Sequence, residues 1–210
     1  MDAHFWHQRW QKNEIGFHQS DADAQLVKHF PQLQLQAGNR VFVPLCGKTL
    51  DIAWMLDQGY RVAGAELSQI AIEQLFANLG IKPEVTLVGP LKRYSGDNID
   101  IFVGDIFELT AQELGTIDAV YDRAALVALP KETREKYTRH LAAITNKAPQ
   151  LLLCFEYDQS LMAGPPFSIT PDEVVEHYAA TYQTILLEEE PLPQRLKGKV
   201  EAIGSVWHLK

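Results

Sequence analysis

Positive charge is in short supply in this chain. Nineteen Lys and Arg face 27 Asp and Glu, for a formal net charge of −8. A protein that neutralises phosphate backbones needs a basic footprint, so nucleic acid is excluded as the main partner, while a small anionic substrate is not. Cysteine is scarcer still. Cys46 and Cys154 are the only two, far apart and without metal-ligand spacing, which excludes a disulfide scaffold and offers no zinc signature. No apolar run reaches the ~20 residues of a membrane span, so no membrane partner is expected. The opening "MDAHFWHQRW" lacks the basic-then-apolar layout of a signal peptide. A cytoplasmic, reducing setting is the expectation. Internal repeats, low-complexity tracts and a clear linker are also missing. One domain over residues 1–210 is expected, with 46% apolar residues to fill its core. Nothing in the pattern suggests a large exposed apolar face, so a monomer is expected.

What is present is an alternation of strand and helix signals. "RVFVPL" (40–45) reads as a buried strand and "TLDIAWMLDQG" (49–59) as a helix capped by Thr49 and stopped by Gly59. "YRVAGAEL" (60–67) is a second strand. "SQIAIEQLFANLG" (68–80) is a helix with an N-cap serine, a terminal glycine and Ile72, Leu75, Phe76 and Leu79 on one face. Residues 84–107 read as a hairpin leading into a third core strand, "IDIFVGD". "IDAVYDR" (117–123) is a fourth strand. Pro130 opens a helix to about Asn146 with Tyr137, Leu141 and Ile144 inward, and "QLLLCFEYD" (150–158) is a fifth strand. "TPDEVVEHYAA" (170–180) starts with Thr170 and Glu173 at capping-box spacing and Pro171 at the first helical position. "YQTILLEEE" and "AIGSVWHLK" read as an antiparallel C-terminal strand pair joined by "PLPQRLKGK". This order predicts an α/β fold: a mainly parallel sheet with helices on both faces. Ligands on such sheets bind beyond the carboxyl ends of the strands. The loops expected to meet there hold Leu45-Cys46-Gly47, Glu66-Leu67-Ser68, Asp105-Ile106-Phe107 and Asp122-Arg123.

The first of these loops raises the question of its ligand. "CGKT" resembles the end of a nucleotide phosphate loop, but that motif needs a glycine where Phe42 stands, in mid-strand. A dinucleotide turn needs three glycines so that bare backbone can approach a pyrophosphate. Here there is one, and Pro44, Leu45 and Cys46 bring side chains or remove an N–H. An adenosine without pyrophosphate fits better. S-adenosylmethionine needs one tight turn near its amino-acid part, which Gly47 supplies, and an acid after the second strand for two ribose hydroxyls. Glu66 stands there, nineteen residues past Gly47, and a carboxylate accepts from both hydroxyls. Alone, Glu66 reads as a solvated strand-end carboxylate; the pairing with the one-glycine turn favours the cofactor. Asp105-Ile106 suits adenine, by accepting from its amine and sandwiching its ring.

Four stretches, "FWHQRWQKNEIGFHQ" (5–19), "VFVPLCGKTLDIAWMLDQGYRVAGAELS" (41–68), "YDRAALVALP" (121–130) and "GPPFSI" (164–169), closely resemble thiopurine S-methyltransferases of the bacterial type. The resemblance runs from about residue 4 to the C-terminus. It implies methyl transfer from S-adenosylmethionine to thiopurine sulfur, with S-adenosylhomocysteine as product, and a link in bacterial members to selenium and tellurium compounds. It implies a Rossmann-like seven-stranded sheet, with residues 1–35 as a helical lid over the active site. By the same resemblance Trp10, Leu45, Glu66 and Arg123 match cofactor positions, and Asp105-Ile106 matches the adenine pair. Phe17 matches a substrate-side position, Arg195 falls where the family carries an arginine near the substrate, and "GPPF" lies near the active-site mouth.

The chemistry implied is an in-line displacement in which positioning does most of the work and a water-poor pocket favours charge-destroying attack on a sulfonium. Trp10 could rest against that sulfonium, whereas Phe5 and Trp6 read as aromatics that dock a terminal helix. Arg123 and Arg195 could favour a thiolate or orient the acceptor ring. Asp122 either holds Arg123 or is an ordinary strand-end acid. His18 either lines the substrate pocket or lies on the surface. His4, His7 and His18 do not form a metal set. Cys46 reads as a small filler beside the cofactor, because nothing near it in sequence supplies a base. "LEEEP" (187–191) reads as a solvated strand end. Two rival functions remain: an NAD-dependent oxidoreductase on a similar sheet, and a non-catalytic S-adenosylmethionine-binding module.

Overall fold

Local signals place the elements and strand pairing assembles them. The computed structural model describes residues 3–16 and 18–210. In chain order it runs α1 (Ala3–Gln11), α2 (Ala24–His29), β1 (Arg40–Pro44), α3 (Leu50–Asp57), β2 (Arg61–Glu66) and α4 (Gln69–Leu79). It continues β3 (Glu84–Val88), β4 (Leu91–Gly96), β5 (Ile99–Val103), α5 (Ala111–Leu114), β6 (Ala119–Arg123) and α6 (Lys131–Ile144). The chain ends with β7 (Gln150–Glu156), α7 (Pro171–Tyr178), β8 (Thr184–Pro191) and β9 (Ile203–Leu209).

The caps explain where the helices begin. Thr49 accepts from the Asp51 N–H at 3.3 Å and Ser68 from the Ala71 N–H at 3.3 Å, each satisfying an orphan donor of a first turn. Gly80 ends α4 at φ 67°, a conformation without penalty only for glycine. Thr170 caps α7, yet the reciprocal half of the box expected from its spacing is not made. Glu173 pairs instead with Arg134 and His177, tying α7 to α6.

The nine strands of the described residues form one sheet in the order β3-β4-β5-β2-β1-β6-β7-β9-β8. This corrects the expected count of seven. The hairpin β3–β4 does not stand off the sheet; β4 pairs antiparallel along β5 from Lys92 opposite Val103 to Gly96 opposite Ile99. Without it β5 would leave a row of unpaired backbone groups at an edge. The five central strands are parallel, and the C-terminal pair β8–β9 is antiparallel and closes the other side.

Period-two alternation sends neighbouring residues to opposite faces. Val41, Val43, Val62, Tyr121, Leu151 and Leu153 pack with α2, α3 and α4. Phe42, Ala63, Val120, Leu152 and Trp207 pack with α5, α6 and α7, through Tyr137, Leu141 and Tyr178 among others. Among the described residues no helix is long and apolar enough to cross a membrane.

Candidate active site

The carboxyl ends of β1, β2, β6 and β7 open into a cavity of about 810 Å³. Its floor is the turn after β1. Leu45 takes φ 46° there and Gly47 φ 52°, and Ala124, after β6, takes φ 63°. Left-handed backbone costs a non-glycine residue about 1–3 kcal/mol and collects at functional sites; Leu45 and Ala124 both line this cavity. The turn is pinned to the neighbouring strand by the Cys46 N–H to Ala65 O at 3.0 Å and the Gly47 N–H to Glu66 Oε2 at 2.8 Å. The Trp10 ring closes over it. A side chain at Gly47 would place Cβ 3.0 Å from Trp10 Cζ2, so glycine is needed here for space as well as for φ. Phe5, Trp6, Arg9 and Trp10 of α1 all line the cavity, and Trp10 itself is buried.

Glu66 is the buried acid of the site. Its Oε1 accepts from the Ser68 N–H at 2.8 Å and its Oε2 from Gly47. Burial raises its pKa, against those backbone donors. A carboxylate can accept about four hydrogen bonds, so capacity remains for paired hydroxyls, and donors of that kind would offset the cost of burying the charge. Side chains of Leu45, Cys46 and Leu67 share the wall with it. Cys46 is buried, and burial together with nearby Glu66 pushes its thiol pKa well up, as expected of a filler rather than a nucleophile.

Arg123 lines the same wall. Its Nε–H donates to Asp51 Oδ2 at 2.7 Å and its Nη2–H to Thr49 Oγ1 at 2.7 Å. Burial opposes its charge, but Asp51, with Tyr121 and Asp23 adding to it, raises its pKa on balance. Asp122 does not hold Arg123, which corrects one of the two readings of that residue. Alternation sends it to the opposite face, where its Oδ2 accepts from the Tyr137 hydroxyl at 2.7 Å and its Oδ1 from the Leu126 N–H at 3.1 Å. Asp51 was legible only as an acid in a first helical turn; its partner lies 72 residues away.

Trp10, Leu45, Gly47, Glu66, Leu67, Arg123 and His18 are thus brought together. Burial lowers the His18 pKa first, with Lys48 and Arg123 adding and Asp51 opposing. Asp105 and Ile106 lie one strand further out and are not in the cavity wall. Asp105 is exposed and accepts from the Phe107 N–H at 3.1 Å, and buried Ile106 offers its carbonyl to His140 Nε2 at 2.8 Å. Phe17 lies outside the described residues. Arg195 is not at the cavity either: it is exposed, 3.5 Å from Glu201. The basic residue that the same loop does bring there is Lys197, whose Nζ donates to Pro165 O at 2.6 Å. Pro165 and Pro166 of "GPPF" also line the wall.

Glu188 corrects the reading of "LEEEP" as solvated. A register shift between Leu186 and Glu188 lets Leu187 and Glu188 both turn toward α2. Glu188 then takes hydrogen bonds from Lys28, from His29 at 2.7 Å and from Gln25 at 2.9 Å. Those donors, Lys28 first, hold its pKa down at about 2. Sequence carried no signal for this cluster, because the bulge that makes it depends on pairing with β9.

The fold is shared with solved methyltransferases. A 1,6-didemethyltoxoflavin-N1-methyltransferase from Burkholderia thailandensis, solved with S-adenosylhomocysteine bound, superposes with a TM-score of 0.67 at 16% identity, over 99% of this chain and 87% of that one. An S-adenosylmethionine-dependent methyltransferase from Anabaena variabilis gives 0.63 at 16% identity, over 99% and 95%. In sequence the likeness is far stronger. A thiopurine S-methyltransferase from Xanthobacter autotrophicus is 58% identical over 100% of this chain and 99% of its own. One from Teredinibacter turnerae is 51% identical over 100% and 97%. The sequence model of the thiopurine S-methyltransferase (TPMT) family matches residues 1–207, and this chain, an S-adenosylmethionine-dependent methyltransferase, belongs to that family.

Proposed function

We propose that the enzyme methylates the sulfur of thiopurine-like aromatic or heterocyclic thiols. The observation that carries this is the composition of the cavity: aromatic and prolyl walls from Phe5, Trp6, Pro165 and Pro166 beside the Glu66–Gly47 floor. A flat, polarisable acceptor fits such walls. When bound, S-adenosylmethionine supplies a methyl group on a sulfonium. Glu66 would accept from its ribose hydroxyls and Leu45, Gly47 and Leu67 would shape the floor beneath it, while Asp105 and Ile106, just beyond the cavity wall, are assigned the adenine by sequence and family resemblance alone. Trp10, which lines the cavity over Gly47, would offer its ring to the sulfonium, a cation–π contact of about 0.5–2 kcal/mol. Arg123 and His18 face the acceptor, with Phe17 and Arg195 assigned to its side by family resemblance alone. The segment 1–35 acts as a lid, in keeping with Trp10 on Gly47. Selenium and tellurium nucleophiles, softer than sulfur, enter the same class of acceptor.

The acting unit in this reading is one chain in a reducing cytoplasm, which accords with the free, buried thiols Cys46 and Cys154. The test is turnover: S-adenosylmethionine, the enzyme and a panel of 6-mercaptopurine, arylthiols, alkylthiols, amines and selenols, with products weighed by mass spectrometry. Methylated heteroaromatic thiols are expected. Methylation confined to nitrogen or oxygen acceptors would overturn the assignment.

A further inference from the structure

A thiol acceptor loses one proton for each methyl group it gains, and that proton needs a base. The carboxylates deep in the cavity are already committed. Glu66 holds the Gly47 and Ser68 N–H groups. Asp51 holds Arg123 and the Asp23 N–H, the latter at 2.8 Å, and Asp23 itself caps α2 by accepting from the Gln25 and Leu26 N–H groups. Glu188 accepts from three side-chain donors, Lys28, His29 and Gln25. The carboxylates at the rim, Glu14 and Glu190, are exposed, and a carboxylate in water is a weak base.

His18 differs from all of these. It lines the cavity, its backbone N–H is fixed to Ile15 O at 2.8 Å, and its ring makes no hydrogen bond to a described residue. The charged groups facing it are Lys48 of the turn after β1, Arg123 of β6 and Asp51 of α3. Partial burial, and then two cations against one acid, keep the imidazole neutral near pH 7 and able to accept a proton. The same surroundings disfavour the imidazolium, so the proton passes on to water at its partly exposed ring.

We propose that His18 is the general base for acceptors whose thiol is not ionised on its own. As the acceptor sulfur bonds to the methyl carbon, the pair of the breaking C–S bond stays with the former sulfonium sulfur. The S–H proton moves to the free ring nitrogen of His18 and then to solvent. Acidic heteroaromatic thiols, already thiolates, do not need this step. His18 thereby sets how far the enzyme reaches toward ordinary thiols. This rests on the function proposed above.

The experiment is a Brønsted series of arylthiols and alkylthiols whose pKa values span roughly four units around neutrality, with wild type and His18→Gln. The variant is expected to lose roughly 10²-fold in kcat for the least acidic thiols, near the lower end of general-base effects, and almost nothing for the most acidic. His18→Ala should be rescued by added imidazole for the least acidic thiols only. Independently of turnover, the His18 ring-nitrogen resonances should shift when a weakly acidic thiol binds beside S-adenosylhomocysteine, its S–H donating to the ring, and stay unchanged if His18 does not meet the acceptor sulfur. An equal loss across the series would show a role in binding alone and overturn the proposal, as would no loss anywhere. Wild type that turns over none of the thiols would overturn the function proposed above, and with it this step. Turnover of the acidic thiols by both proteins keeps that function standing whatever His18 does.

Discussion

Arg123 and Asp51 form a buried pair, Nε–H to Oδ2 at 2.7 Å, with side chains 11% and 1% exposed. Asp51 spends its other oxygen on the Asp23 N–H, at the start of α2. One carboxylate therefore fixes both a cavity-lining guanidinium and the end of the segment that follows α1. Removing one member of a buried pair leaves the other charge uncompensated, at about 3–5 kcal/mol. Asp51→Ala is expected to lower unfolding stability by that order in urea, and Asp51→Ala/Arg123→Ala by less than the sum of the single variants. Additive single effects in the double-mutant cycle would show that the pair is not coupled.

Glu66→Ala removes the acceptor assigned to the ribose. Affinity for S-adenosylhomocysteine, measured by calorimetry, should fall by roughly 1–3 kcal/mol, the scale of a lost charged hydrogen bond. The Gly47 and Ser68 N–H groups also lose their partner, so the unfolding midpoint should be recorded beside the titration. Unchanged affinity would remove Glu66 from the ribose role.

Asp122 gives the stability a pH dependence with a definite sign. Burial raises its pKa from 3.8 to about 6, despite hydrogen bonds from Tyr137 and Leu126. A carboxyl whose folded pKa exceeds its unfolded value stabilises the fold while protonated. That contribution is complete below 3.8 and is lost as pH rises through about 6. At about 1.4 kcal/mol per pKa unit, the change is about 3 kcal/mol. Asp122→Asn should flatten the wild-type decline across this window in unfolding free energies measured from pH 4 to 7. A variant curve parallel to wild type would locate the titration elsewhere.

Lys197 and Arg195 separate family resemblance from placement. Lys197 lines the cavity beside Pro165, while Arg195 is exposed against Glu201. Lys197→Met should raise the acceptor KM several-fold, and Arg195→Ala should change it by less than twofold. Neither should shift affinity for S-adenosylhomocysteine. The reverse ranking in steady-state kinetics would mean that the loop brings Arg195 inward when the acceptor binds.

Sequence by itself determined the alternating elements, the caps at Thr49 and Ser68, the one-glycine turn and the acid after the second strand. These signals are local: hydrogen bonds within one turn, periodicity along one segment, side-chain chemistry at one strand end. The Trp10 contact on Gly47 spans 37 residues of chain and had no local signal. Only the tertiary structure decided that the β3–β4 hairpin joins the sheet, that Asp122 and Arg123 part company across it, and that Asp51 takes the arginine. It alone turned Glu188 inward and brought Lys197 to the cavity in place of Arg195. Each of these depends on strand register, on a bulge set by a neighbouring strand, or on loops meeting over long separations. A one-residue change in any of them exchanges the faces of a strand, and no short window of sequence records which register was chosen.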